Sequence, residues 1–258
     1  MEHNVFMKMK RINFIWIFIV SCISNSMPTW AITCSTVLKN ETPVLKSYNK
    51  ALGEILVYSI PSTHPYVEEI IDQALLLQKL LLINKKSTKE ITDLDIKDGF
   101  LVEEMDTNHL KRDLIHDHGS IMTACIHNHQ SSHNKLAGYA ILRSTSDYDQ
   151  NKNAIHGEAT FSISENEWQK IAVDSTYIYE LDVYPNYRRK GVGKLIIEAC
   201  KKQCSNALIV DVICWPKPFV NKLSYQLFLK NGFRDVGEVY IENSPGFQSY
   251  KSRIMLWK

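Results

Sequence analysis

The sequence has no surplus of either charge: 30 lysines and arginines face 28 acidic residues, leaving +2 over 258 residues. Wholesale nucleic-acid binding shows as a strong basic excess, so that class is excluded. Cysteine is sparse as well. The six (22, 34, 125, 200, 204 and 214) contain no CxxC and fall short of a disulfide scaffold, which argues against a redox motif and against heavy reliance on disulfides. Cys200 and Cys204, one turn apart on a predicted helix, read as core-facing thiols. There is no internal repeat and no low-complexity tract. Nor is there an apolar run long enough to cross a bilayer: Ile12 to Ile23 is closed off by Ser24, Asn25, Ser26 and Pro28, short of the ~20 residues required.

What the N-terminus does have is a layout. Lys8, Lys10 and Arg11 precede the apolar run, and small and polar residues follow it as far as Ala31. That is the pattern of a secretory signal peptide over residues 1–31, although Thr29-Trp30-Ala31 is a poor cleavage site. The alternatives are an uncleaved anchor, in which case the chain stays at a membrane, and a cytoplasmic protein. Signal and anchor alike would put the rest of the chain across the membrane, because the cations stay inside. Residues 32–53 then read as a polar spacer and 54–258 as the working domain, exported in the leading reading.

Along that domain, "EILVYSI" (54–60) has the branched and aromatic content of a strand. Thr63 and Pro65 open a helix to about Asn84, with Val67, Ile70, Ile71, Ala74, Leu77 and Leu81 at helical spacing. A weak helix is predicted near 103–115, a hairpin over 120–128 and 135–143, and a long polar loop over 144–157. The rest alternates: strand 177–183, helix 190–204, strand 207–214, helix 219–230, then strands 232–241 and 252–258. A strand–helix–strand step of this kind implies a parallel pair with a crossover.

At the first of those crossovers stands "YPNYRRKGVGKLI" (184–196), with three consecutive cations beside Gly191 and Gly193. Cations and glycine both disfavour starting a helix, unless an anion sits there and the backbone must approach it. A Walker loop would need glycine in place of Arg188 and a hydroxyl in place of Leu195; a dinucleotide fingerprint would need glycine in place of Ile196. Neither matches. The remaining pattern, Arg188-x-x-Gly191-x-Gly193, resembles the acetyl-CoA pyrophosphate loop of the GNAT superfamily of N-acetyltransferases. The resemblance runs through "YIYELDVYPNYRRKGVGKLIIEACKK", "NKLSYQLFLKNGF" (221–233) and a closing "MLW" strand.

The resemblance implies an α/β fold, a mixed central sheet flanked by helices, with acetyl-CoA bound as co-substrate at loop 184–194 and no metal. Backbone N–H groups of Arg189, Lys190, Gly191, Val192, Gly193 and Lys194 would hold the pyrophosphate, with charge from Arg188 and Lys190; a side chain at 193 would fill the anion's place. By the same resemblance, the backbone of Leu181, Asp182 and Val183 would bind the pantetheine arm like an added strand, and Asn221 and Phe228 would lie at the cofactor. The implied reaction is direct attack of a primary amine on the thioester, which needs a proton acceptor and a proton for the thiolate. Strand alternation sets Tyr177, Tyr179, Leu181 and Val183 opposite Ile178, Glu180 and Asp182; Glu180 is the base candidate and Asp211 a weaker one. Phe228 stands where the family often has an acidic tyrosine, so Tyr225, three residues earlier, is the acid candidate.

Two readings compete. A catalytically silent CoA-binding or interaction module would share the fold and explain Phe228. A histidine-based metal protein would use His116, His118, His127, His129 and His133, but no cysteine or glutamate pair completes a ligand set. The acceptor, a small amine or a peptide or protein amine, carries no motif.

Overall fold

Strands form here where apolar residues run without a polar alternate. Ile55, Leu56, Val57, Tyr58 and Ile60 are all buried, as are residues 121–126 and 136–143, which marks strands covered on both faces. The structure, a computed structural model, describes residues 41–81, 119–127, 134–145, 158–173, 175–215, 221–241 and 249–258, together with Leu38, Leu110 and Leu114. The strands are β1 (Leu45–Asn49), β2 (Gly53–Pro61), β3 (Ser120–His127), β4 (Lys135–Ser144), β5 (Glu158–Phe161), β6 (Thr176–Val183), β7 (Leu208–Trp215), β8 (Arg234–Ile241) and β9 (Tyr250–Trp257). The helices are α1 (Val67–Leu81), α2 (Glu165–Ala172), α3 (Val192–Gln203) and α4 (Lys222–Lys230).

Among the described residues these strands make one sheet in the order β1-β2-β3-β4-β6-β7-β9-β8-β5. The expected parallel pair is there: β6 and β7 run parallel, and the other neighbours are antiparallel. On one face, Val192, Ile196 and Ile197 of α3 and Phe228 of α4 join Ile55, Met122, Ala140, Ile178, Val210 and Met255 in the larger core. Residue alternation sends Ile209 to the other face, where it packs with Ile171 of α2, Val236 and Ile254. Lys201 ties α3 to α4: its Nζ donates to the Asn231 carbonyl at the end of α4 and lies 4.8 Å from the Trp257 ring centre.

Four features depart from the sequence reading. Residues 45–49, read as spacer, are β1, the edge strand paired to β2. Thr63 does not cap α1; two turns, His64 N–H to Pro61 O and Val67 N–H to His64 O, delay the helix to Val67, because Pro65 disfavours helical backbone at His64. Within the segment 144–175, β5 crosses to the far edge and pairs with β8, and α2 follows it, capped by Ser164 accepting from the Glu167 N–H. Finally, Cys125, wholly buried on β3, is disulfide-bonded, whereas Cys200, Cys204 and Cys214 are free thiols. Leu110 and Leu114 are helical and buried one turn apart, in keeping with the weak helix. The proposed signal peptide, the rest of 87–118, the loop 146–157 and His116, His118, His129 and His133 lie outside the described residues.

Candidate functional site

The parallel pair is short. β6 and β7 pair only at Thr176↔Leu208 and Tyr177↔Ile209, although the strands continue to Val183 and Trp215. Beyond Tyr177 they therefore diverge, leaving the β7-facing backbone edge of Glu180–Val183 without a strand partner among the described residues. On its other side β6 pairs fully with β4, but with a slip: Ile141 faces Glu180 and Leu142 faces Ile178, so Tyr179 is an extra residue. This β-bulge breaks the expected alternation. Ile178 joins Leu181 and Val183 on the α3 face, while Tyr179, under the Arg143 guanidinium at 3.8 Å, shares the face of Glu180.

That register assembles a hydrogen-bonded cluster. Tyr139 of β4 lies opposite Asp182, and its hydroxyl bonds both Glu180 and, at 2.9 Å, Asp182 Oδ2, its one proton going to one carboxylate while the other contact takes the proton the pair retains. Gln78 of α1, completely buried, donates to Glu180 Oε2 at 3.0 Å. Asp182 is 5% exposed, whereas Glu180 is half-buried, so Glu180 is the member that faces outward. Burial first, and then the Asp182 charge, holds the Glu180 carboxyl well above the ordinary carboxylate range. Burial also raises Asp182, against the bonds from Glu180 and Tyr139 and the charge of Arg188. The pair keeps a shared proton where isolated carboxyls have lost theirs, with Glu180 its preferred holder. Burial, and then the two carboxylates, puts the Tyr139 hydroxyl far above its usual range, so it stays a donor.

Past β6 the chain makes a tight turn at Pro185–Tyr187, pinned by Tyr184 N–H to Ala137 O at 2.8 Å. Arg189 (φ 61) and Gly191 (φ 85) then adopt left-handed backbone, and α3 begins at Val192. Its first bond runs from Leu195 N–H to Gly191 O at 3.1 Å, so the N–H groups of Val192, Gly193 and Lys194 have no intrahelical acceptor. Gly191 offers no capping side chain, and the first turn carries no acid. A helix start with spare donors and flanking cations fits a diphosphate.

The individual loop residues differ from expectation in two ways. A Cβ on Gly191 would meet nothing within 4 Å, so this glycine serves its left-handed φ. A Cβ on Gly193 would meet Leu227 Cδ2 at 3.1 Å and Val183 Cγ2 at 3.5 Å, so this glycine lets α3 pack closely on β6 and α4. Arg188 turns back to β6, where its Nε donates to Val183 O at 3.0 Å. Lys194 is exposed and lies 3.5 Å from Glu198.

Asn221 sits across the opening. Its N–H is tied to Ile213 O of β7 at 3.0 Å, and its side-chain oxygen caps α4 through the Ser224 N–H at 3.2 Å. Its NH2 is the donor it could offer a ligand. Tyr225 donates to Asp235 Oδ2 at 3.0 Å, and burial followed by Asp235 raises its pKa. Phe228 is 3% exposed and packs edge-on against Phe233, with ring centres 5.0 Å apart. Asp211 accepts from the Tyr177 hydroxyl at the point where β6 and β7 part. His127 bonds Asn134 at 2.6 Å, and no group of three or more potential metal ligands occurs among the described residues. Sequence reasoning missed Tyr139 and Gln78, which reach Glu180 only through strand register and helix packing.

A sequence profile of the acetyltransferase (GNAT) family matches residues 88–233, more than half of the chain. A search among curated proteins gives no significant match. Solved structures with a similar course of the chain include NAA60 of Arabidopsis thaliana in complex with a bisubstrate analogue (15% identity, 79% of this chain and 97% of that one, TM-score 0.47). Others are an N-acetyltransferase of Staphylococcus aureus (12% identity, 79% and 98%, TM-score 0.43) and yncA of Salmonella typhimurium with its cofactor acetyl-CoA (12% identity, 79% and 93%, TM-score 0.42). With the profile spanning the diverging strands, the glycine loop and the helix after it, the chain belongs to the GNAT family of acetyltransferases.

Proposed function

We propose that the protein transfers the acetyl group of acetyl-CoA to a primary amine by direct attack, with Glu180 taking the amine proton. The observation that carries this is the divergence of β6 from β7 beside the uncapped start of α3. The unpaired edge of Leu181–Val183 suits an amide-bearing arm, and the spare N–H groups at Val192–Lys194 suit its diphosphate. The amine nitrogen forms a bond to the acetyl carbon as the carbon–sulfur bond breaks. The nitrogen's proton passes to Glu180 once the Glu180–Asp182 pair has lost its shared proton, and the thiolate takes one from Tyr225, which must then release Asp235. A base with a raised pKa holds a proton drawn from an amine better than an ordinary carboxylate does. The acceptor is a small amine or a peptide or protein amine.

Intact-mass detection of a single acetyl increment on a panel of amines and peptides tests the activity. Glu180→Gln should lower the rate by roughly 10²–10⁴ with acetyl-CoA affinity kept. Tyr225→Phe should cost less, since a thiolate is already a fair leaving group. Binding of acetyl-CoA with no transfer to any amine would favour a silent module, the reading suggested by the buried phenyl ring of Phe228.

We also propose that the domain is exported from the cytosol of the cell that makes it. The disulfide at Cys125 supports this, because disulfides persist in oxidising compartments. No helix among the described residues is long and apolar enough to cross a membrane.

A further inference from the structure

The β1–β2 hairpin turns directly beside the phosphate loop, and the side chain of Asn49 at its corner makes three bonds. Its Oδ1 accepts from Ala51 N–H at 2.8 Å and from Leu52 N–H at 3.2 Å, which sets the turn. Gly53, left-handed at φ 84, pairs back to Asn49 and closes it. With the oxygen committed, the amide Nδ2 is left to point outward, and it donates to the Lys190 carbonyl at 2.9 Å. Val44, Leu45 and Leu52 of the same hairpin pack on the core beneath α3, so the corner has a fixed place to bond from.

The bond falls on a peptide that matters. In a trans peptide the C=O and the following N–H point in opposite directions. Holding the Lys190 carbonyl toward Asn49 therefore aims the Gly191 N–H away from the hairpin. It also keeps a carbonyl oxygen, which an anion repels, out of the site. Glycine at 191 lowers the barrier of local strain to the flipped arrangement, so an outside restraint has something to prevent. We propose that Asn49 is a positioning residue for the diphosphate site: it locks the Lys190–Gly191 peptide in the orientation that presents N–H groups to the ligand. The inference rests on the acetyl-CoA reading above and adds a determinant from a strand outside the matched segment 88–233.

Asn49→Asp separates the roles. The carboxylate can still accept from Ala51 and Leu52 but sets an acceptor against the Lys190 carbonyl. Titration calorimetry with acetyl-CoA near pH 7.5 should show affinity weakened about 3–10-fold, the scale of one lost hydrogen bond. The melting temperature without ligand should hardly move. Near pH 4 an aspartic acid recovers a donor, and the gap to wild type should narrow. Equal affinity of wild type and variant at pH 7.5 would overturn the inference alone. So would a deficit that persists at pH 4 or that follows a lowered melting temperature, since either marks a merely structural role. A wild-type chain that binds no acetyl-CoA would overturn the cofactor reading and this inference with it.

Discussion

Two carboxylates on one strand, both bound by one tyrosine, make Glu180 a group whose chemistry is set by its neighbour. Because burial and then the Asp182 charge raise Glu180, Asp182→Asn removes the second of these causes. If Glu180 must be ionised to take the amine proton, the acidic limb of the rate profile should then move to lower pH; a limb that stays put would mean Asp182 does not tune the base. The same shift bears on stability. A carboxyl with a higher pKa in the folded chain than in the unfolded one favours folding below the unfolded value. That contribution is lost as pH rises through the folded value. Glu180→Gln, which keeps an oxygen for Tyr139, should therefore melt a few degrees above wild type at neutral pH and equal to it near pH 4. Lower activity with higher stability from one substitution is the mark of a functional carboxyl held at a cost.

At the scale of elements, α3 is fixed by two glycines with different duties. Gly193→Val would drive branched methyls into Leu227 and Val183 and should lower stability by about 1–3 kcal/mol, readable in a denaturant titration before any ligand is added. Gly191→Ala strains the left-handed turn and should lower stability by about 1–2 kcal/mol, read in the same titration. A Gly193→Val chain as stable as wild type would show that α3 does not pack as described. The strand, loop and helix that form this unit were legible because their signals are local: apolar content, glycine positions and an order of elements. The bulge at Tyr179 was not legible, since alternation alone gives no sign of an extra residue. Tyr139 looked like one more apolar strand residue until the pairing with Asp182 placed it. β1, with its alternately exposed "LKSYN", reads as spacer because an edge strand has little to bury. α2 did carry a signal, Ser164 followed by Glu167, inside a stretch too polar to attract notice.

For the whole molecule two features pull apart: acetyl-CoA is a cytosolic metabolite, and the N-terminus reads as an export signal. Secretion into another cell's cytosol, or action in a lumen that contains acetyl-CoA, would reconcile the two. The mature protein is expected to begin close to Ile32, with Cys125 recovered in a disulfide-linked peptide under non-reducing mapping. A soluble, uncleaved chain with a free Cys125 thiol would leave an ordinary cytoplasmic enzyme. The sheet order adds something about time. β5 precedes β6 in the chain yet pairs with β8, and β9, made after β8, lies between β8 and β7. This half of the sheet cannot assemble in the order of synthesis. "EATF" is made before the β8 edge it pairs with, and β7 before its neighbour β9. Pairings so distant in sequence form slowly. A nascent chain built this way keeps an unpaired "EATF" until its late strands emerge.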